Sequence, residues 1–188
     1  MYHGTARAAA AQPASRLRLV EGAATKRPKP MSEPLTDQVL VERAKRGDEI
    51  AFSELVNRHY RRAVRVAYGM AGISADNVSV AEVHDCFGVM GAMSAEIIGK
   101  AEVGRGAQYF VDGRAAPGGD CAINTSGGLI AKGHPIGATG VAMVGWSYNQ
   151  IVGDVPEPLR AKSIDHAVTF NIGGPICASA VHVLRGKN

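Results

Sequence analysis

Aromatic side chains are scarce: Phe, Tyr and Trp make up 5% of the 188 residues, with a single tryptophan. Binding of single-stranded nucleic acid by base stacking is therefore not expected, because that mode interleaves rings with the basic residues. Cysteine is sparse too. Cys86, Cys121 and Cys177 lie in apolar or glycine-rich surroundings without a CxxC spacing, which argues against a disulfide framework and a zinc site, so no metal is expected. No apolar run approaches the about 18 residues that cross a bilayer, and the opening MYHGTARAAAAQPASRLRLVEG lacks the apolar stretch and cleavage site of a secretory leader. The expectation is a soluble, cytoplasmic chain with no membrane partner.

What is present can fold: 46% of the residues are hydrophobic and 20% charged, enough for one globular domain with appendages but not for two full ones. The net charge of +4 is unevenly placed. Residues 1–62 hold 12 Lys and Arg against 7 Asp and Glu, whereas residues 63–188 hold 9 against 10. The basic character belongs to the front third and says nothing about what the larger remainder binds.

Residues 1–34 are rich in Ala, Pro, Arg and Lys, and the three prolines of TKRPKPMSEP would break any regular element, so a flexible tail is expected. A short alternation, Arg16-Leu17-Arg18-Leu19-Val20, could become a strand if a sheet edge were offered to it. From Thr36 the pattern turns helical, with Thr36 as N-cap, Val39, Leu40 and Ala44 on one stripe, and Gly47 as the stop. Asp48 caps a second helix, with Phe52, Leu55, Val56, Ala63 and Val66 on its apolar face and Arg58, Arg61, Arg62 and Arg65 on a solvated one. Residues 35–68, LTDQVLVERAKRGDEIAFSELVNRHYRRAVRVAY, resemble the opening of extracytoplasmic-function sigma factors. That resemblance implies an RNA-polymerase-binding helical pair; the promoter-melting helix and helix-turn-helix that follow in that family have no counterpart here.

Beyond Gly72, strand and helix alternate. Val78 to Val83 reads as a buried strand, residues 87–99 and Pro135 to Ile151 as helices, and Ala167 to Asn171 and Ile176 to Leu184 as strands joined by the Gly173-Gly174-Pro175 turn. The class is α/β. Three loops fall at element ends, where α/β folds place their sites: His84-Asp85-Cys86-Phe87, Gly133-His134-Pro135 and Asn171-Ile172-Gly173-Gly174. A histidine beside a cysteine can hold the thiol near its thiolate form and exchange protons with it.

The order NTSGGLIAKGHPIGATG, preceded by VAEVHDCF and followed by FNIGG, closely resembles the carboxy-terminal domain of thiolases. The HDCF form points to the sterol-carrier-protein, lipid-transfer branch. The likeness runs from about Ala63 to Leu184, and residues 69–188 form the domain it implies: a layered mixed sheet with helices, the carboxy-terminal half of a thiolase fold. The activity implied is that of an acyl-CoA acyltransferase, Claisen condensation or thiolytic cleavage of CoA thioesters. The CoA thioester is substrate and no cofactor is tightly bound. By the resemblance, His134 activates the nucleophilic cysteine and helps hold the thioester oxygen. His84 stands where the other branch orients a water in the first oxyanion hole, Cys86 is the acid/base, and Gly173 lends its N–H to the second oxyanion hole. Asn171 replaces the cysteine of the usual final loop, and Gly133 opens the Gly-His-Pro turn. Such donors are needed because a thioester α-proton is lost only when the enolate oxygen meets fixed hydrogen-bond donors. Pro135 in the first turn of its helix would leave free N–H groups near the site.

The resemblance also implies a complement. In the family the nucleophile belongs to a Cys-x-Ser motif of a separate amino-terminal domain. Neither Cys121, just before NTSGG, nor Cys177, inside the expected last strand, stands in such a motif. Acyl transfer by this chain alone is therefore not expected, and a complementing amino-terminal half or a homo-oligomer is. A related reading is retro-aldol cleavage of a side-chain CoA thioester with an OB-fold, zinc-ribbon partner. Two other readings are a polymerase-binding module on an inert scaffold and a fusion of two reading frames near Tyr68 to Gly72. The family sheet has strand order 3-2-1-4-5, and here helix stands where the central first strand should be. Three outcomes are open: the flanking strands close up, residues 16–20 fill the gap, or another subunit does. The expectation is a marginally stable domain.

Overall fold

The computed structural model describes residues 35–174 and 177–186. The expected tail and the alternation at residues 16–20 lie outside them. Two helices open the fold, α1 (Asp37–Lys45) and α2 (Glu49–Ala71). Both caps act as anticipated: Thr36 Oγ1 accepts the Val39 amide at 3.4 Å, and Asp48 Oδ1 accepts that of Ala51 at 3.0 Å. The buried face of α2 differs from the one expected. Ala51, Tyr60, Val64 and Tyr68 point inward, while Phe52 and Val66 are exposed. The two tyrosines decide this, since their rings fill the core while a hydroxyl still finds a partner, as Tyr68 does on the Ile98 carbonyl at 3.0 Å. Nor are the four arginines one solvated row. Arg58 is tied to Asp37 and Glu54, Arg61 is half-buried near Glu96, and Arg62 and Arg65 are exposed.

The chain continues through β1 (Val78–Val83), α3 (Gly88–Ile97), α4 (Gly106–Val111), β2 (Ala122–Ile123), α5 (Gly128–Lys132), α6 (Thr139–Val152), β3 (His166–Gly173) and β4 (Ala178–Arg185). The sheet runs β2-β1-β3-β4, with β1 parallel to both neighbours and β4 antiparallel to β3. The slot has closed up: β1 bonds directly to β3, with Val83 opposite Phe170. Both edges of β1 are thereby paired, which removes the ground for expecting a marginal domain. Cys177 precedes β4 rather than lying within it.

One face of the sheet, through Ala81, Val83, Val168 and Phe170, packs against α2, α3 and α4. The other, through Val80, Ala122 and Ala167, meets Ile151 of α6 and Ala161. Burial on both faces explains why β1 reads as a near-continuous apolar run. The change of sequence character near Tyr68 is not matched by a break in packing. The described residues from 35 onward form one unit, and α2 shares its core with the sheet. No helix among the described residues is long and apolar enough to cross a membrane.

Candidate active site

The sheet delivers His84 and Asn171 side by side. The His84 amide donates to the Phe170 carbonyl at 2.9 Å, extending the β1–β3 ladder one residue beyond β1. Across that rung His84 Nδ1 lies 2.7 Å from Asn171 Oδ1. An amide oxygen only accepts, so the ring carries its proton on Nδ1, and in its neutral form Nε2 keeps a lone pair. His84 is buried, with 5% of its surface exposed.

His134 reaches the same place from the other side. Its ring centroid stands 5.0 Å from that of His84, edge to face at 89°. His134 Nδ1 is 2.8 Å from Thr139 Oγ1, and that hydroxyl donates its own proton to the Pro135 carbonyl at 3.2 Å. The hydroxyl must therefore accept from Nδ1–H, which makes Nε2 of His134 the free basic nitrogen. Here the expected helix start is corrected. Pro135 is not in a helical turn: α6 begins only at Thr139, because Gly137 sits at φ +88°, where a helix cannot continue, and the Ala138 amide closes a tight turn on the Pro135 carbonyl at 3.0 Å.

Two carboxylates, Asp85 and Glu82, hold the loops in register. Asp85, buried, accepts the Leu129 amide at 2.7 Å and so joins the His84–Cys86 loop to α5, whose end carries Gly133 and His134. Gly128 makes room for it: with φ +61°, a Cβ there would press onto Asp85 Oδ2 and stand 2.7 Å from its Cγ. Gly128→Ala combines left-handed strain with that collision, and a loss of about 2–4 kcal/mol is expected. The thermal midpoint should drop by roughly 5–15 °C, and an unshifted melt would refute this packing. The second carboxylate, Glu82, is fully buried on β1. It accepts the Ser126 amide at 3.2 Å and the Ser126 hydroxyl, with Lys132 Nζ 3.5 Å away. Asn124, at φ +52°, completes the clamp by accepting the Val83 amide at 2.7 Å and donating to its carbonyl at 3.1 Å. The NTSGG stretch carries these residues, and an acidic residue inside an apolar strand was the signal for Glu82.

Burial raises the Glu82 pKa above the usual carboxylate range, against the opposing pull of Ser126 and Lys132. The folded state then holds the Glu82 proton more tightly than the unfolded chain. Stability from this group is full below the unfolded pKa and declines as pH rises through the folded one. Glu82→Gln should flatten that decline in urea midpoints measured from pH 4 to pH 8; an equally steep profile in the variant would assign the decline to other groups.

The remaining expected residues lie in the same three loops. Cys86 is half-buried, two residues past His84 and just ahead of α3. Gly133 is exposed immediately before His134, and Gly173 is exposed at the end of β3, opposite Ala178. Cys121 is buried, and burial pushes its thiol up to about 12, so it stays protonated near neutral pH. Among the described residues no three His, Cys, Asp or Glu side chains converge as a metal ion would require. A cavity of about 320 Å³ opens beside Asp85 and Asn124, walled by Gly91, Ala92, Phe110 and Ile130.

Residues 45–186 match the family described as thiolase C-terminal domain-like. This chain belongs to that family. The match takes in all of α2 as well as the sheet and the three loops, so the thiolase likeness begins within residues 35–68. Among curated relatives it is 38% identical over 121 residues to an acetyl-CoA acetyltransferase of Methanothermobacter thermautotrophicus, covering 64% of this chain and 31% of that protein. It is 34% identical over 119 residues to human sterol carrier protein 2, covering 62% and 21%. Its thiolase-type fold also resembles the solved Ltp2-ChsH2(DUF35) aldolase, with a TM-score of 0.59 at 16% identity over 69% of this chain and 32% of that one. The chain thus spans about a third or less of the length of these relatives.

Proposed function

We propose that this chain supplies the carboxy-terminal share of a thiolase site that makes or breaks carbon–carbon bonds in acyl-CoA thioesters. The observation that carries the reading is the His84–His134 ring pair, 5.0 Å apart, with both Nδ1 atoms occupied. Two basic Nε2 nitrogens are thereby left for the reacting groups. The nucleophilic cysteine comes from a complementing amino-terminal half, and the exposed apolar side chains beside the loops, Phe87, Ile130 and Ile136, suit burial against it.

In this mechanism Nε2 of His134 takes the proton of that cysteine as its sulfur attacks the thioester carbonyl. The sulfur–carbon bond to CoA breaks, and CoA leaves with the proton of the Cys86 thiol, giving the acyl-enzyme, a Cys86 thiolate and a protonated His134 ring. The Cys86 thiolate then removes the α-proton of a second thioester. The electron pair moves onto its oxygen, where an Nε2–H of a protonated ring and backbone N–H groups stabilise it. The α-carbon attacks the acyl carbon, releasing the cysteine. Thiolysis is the same path reversed. CoA thioesters enter as substrates, with no tightly bound cofactor.

Support for acyl transfer over retro-aldol cleavage comes from the relatives. Those named for acetyl-CoA acetyltransferase share 38% identity, whereas the aldolase shares a fold alone. The test is exchange of labelled CoA into acetyl-CoA. Exchange should be absent for the chain alone, appear on mixing with an amino-terminal thiolase half, and fall when Cys86→Ala replaces the wild type. Exchange indifferent to Cys86 would remove the proton-transfer role.

A further inference from the structure

We propose that the outer edge of β4 and the exposed face of α2 together dock an extended, acidic segment of another protein, which joins the sheet as a further strand. Among the described residues β4 pairs with β3 alone and forms one border of the sheet. The two borders differ. β2 is two residues long, too short to receive a partner, whereas β4 runs eight residues in unbroken register with β3 and holds neither a proline nor a bulge. None of the usual devices that blunt an edge is present, so its outward N–H and C=O groups are a template for another strand.

α2 roofs that border. Alternation along β4 puts Ser179, Val181 and Val183 on the side of α2, where the two valines pack against the core. A groove of about 440 Å³ continues outward from them, walled by Ala63, Val66, Ala67 and Met70 of α2 with Ser179 and Val181 of β4. Met70 is 86% exposed and Val66 55%, and a strand laid beside β4 would cover both with every second side chain. Charge decides what else that strand carries. Arg62 and His59 line the groove and no Asp or Glu does. His59 already meets Asp37 at 3.1 Å, whereas Arg62 and Arg65, exposed on adjacent turns, make no ion pair among the described residues, unlike Arg58. β4 adds no acid, since its ionisable side chains are His182 and Arg185. The complement is a strand with apolar residues under Val66 and Met70 and a carboxylate at the Arg62 end.

The test uses the full chain and a labelled, end-capped peptide, Glu-Thr-Val-Thr-Val-Thr-Glu, one face of which reads Glu, Val, Val, Glu in either chain direction. Saturable binding is expected by fluorescence anisotropy, weakening as salt is added, and amides of residues 178–185 should gain protection from hydrogen exchange in the complex. Arg62→Glu should weaken binding about tenfold or more, because it sets like charges against each other. Met70→Asp should weaken it as well. Both side chains are exposed, so neither variant should lower the thermal midpoint. The proposal is overturned if the peptide does not bind saturably, if the same peptide with Lys for Glu binds as tightly, if Arg62→Glu binds it unchanged, or if binding leaves the amides of β4 unprotected. A dimer in sedimentation that Met70→Asp dissociates also overturns it, and gives the edge to a second copy of this chain.

Discussion

His134→Ala is expected to lower CoA exchange by the chain paired with an amino-terminal thiolase half about 10²–10⁴-fold, the range over which a positioned general base acts. The magnitude follows from how completely the ring is oriented. Thr139 Oγ1 can accept from Nδ1 because its own proton is committed to the Pro135 carbonyl, so one tautomer is held and Nε2 is the basic atom before any substrate arrives. The loss should fall on turnover rather than on assembly, because His134 is exposed and its removal opens no core cavity. Measured exchange rates, with complex formation checked by sedimentation, separate the two. A variant that exchanges CoA at the wild-type rate would place the base elsewhere.

Phe170→Ala should cost about 3–5 kcal/mol, the usual loss for a buried Phe. Its ring is fully buried on β3, packs edge to face on Tyr60 of α2 at 5.4 Å, and lies in register with Val83 of β1. One truncation therefore loosens helix and sheet together. In hydrogen exchange, amides of residues 49–71, 78–83 and 167–171 should lose protection in concert, because a shared core opens as one unit. If residues 49–71 exchanged early while the two strands stayed protected, α2 would be a separate module.

Much of the fold was legible because its signals are local. Thr36 and Asp48 announce their helices through side chains that bond amides three residues on. The apolar, β-branched run at Val78 to Val83 is a strand as read. Other elements left no such mark. β2 is two residues long and α5 five, too short for any periodicity, and their places are set by β1 and by the Asp85 carboxylate. The buried face of α2 differs from its apolar pattern because Tyr60 and Tyr68 count as polar in a pattern and as apolar in a core.

Sequence alone determined the family, the three loops and the residue types in them, since caps, turns and motif order are written over a few consecutive positions. Only the tertiary structure decided that β1 and β3 meet across the slot where the family's strand order puts another strand. It also decided that His84 finds Asn171, 87 residues away, and that Glu82 and Asp85 hold the loop leading to His134. The reason is physical: a strand's pattern says which face is buried but not which neighbour it will pair with, and a ring's tautomer is set by whatever atom the fold brings to its nitrogen.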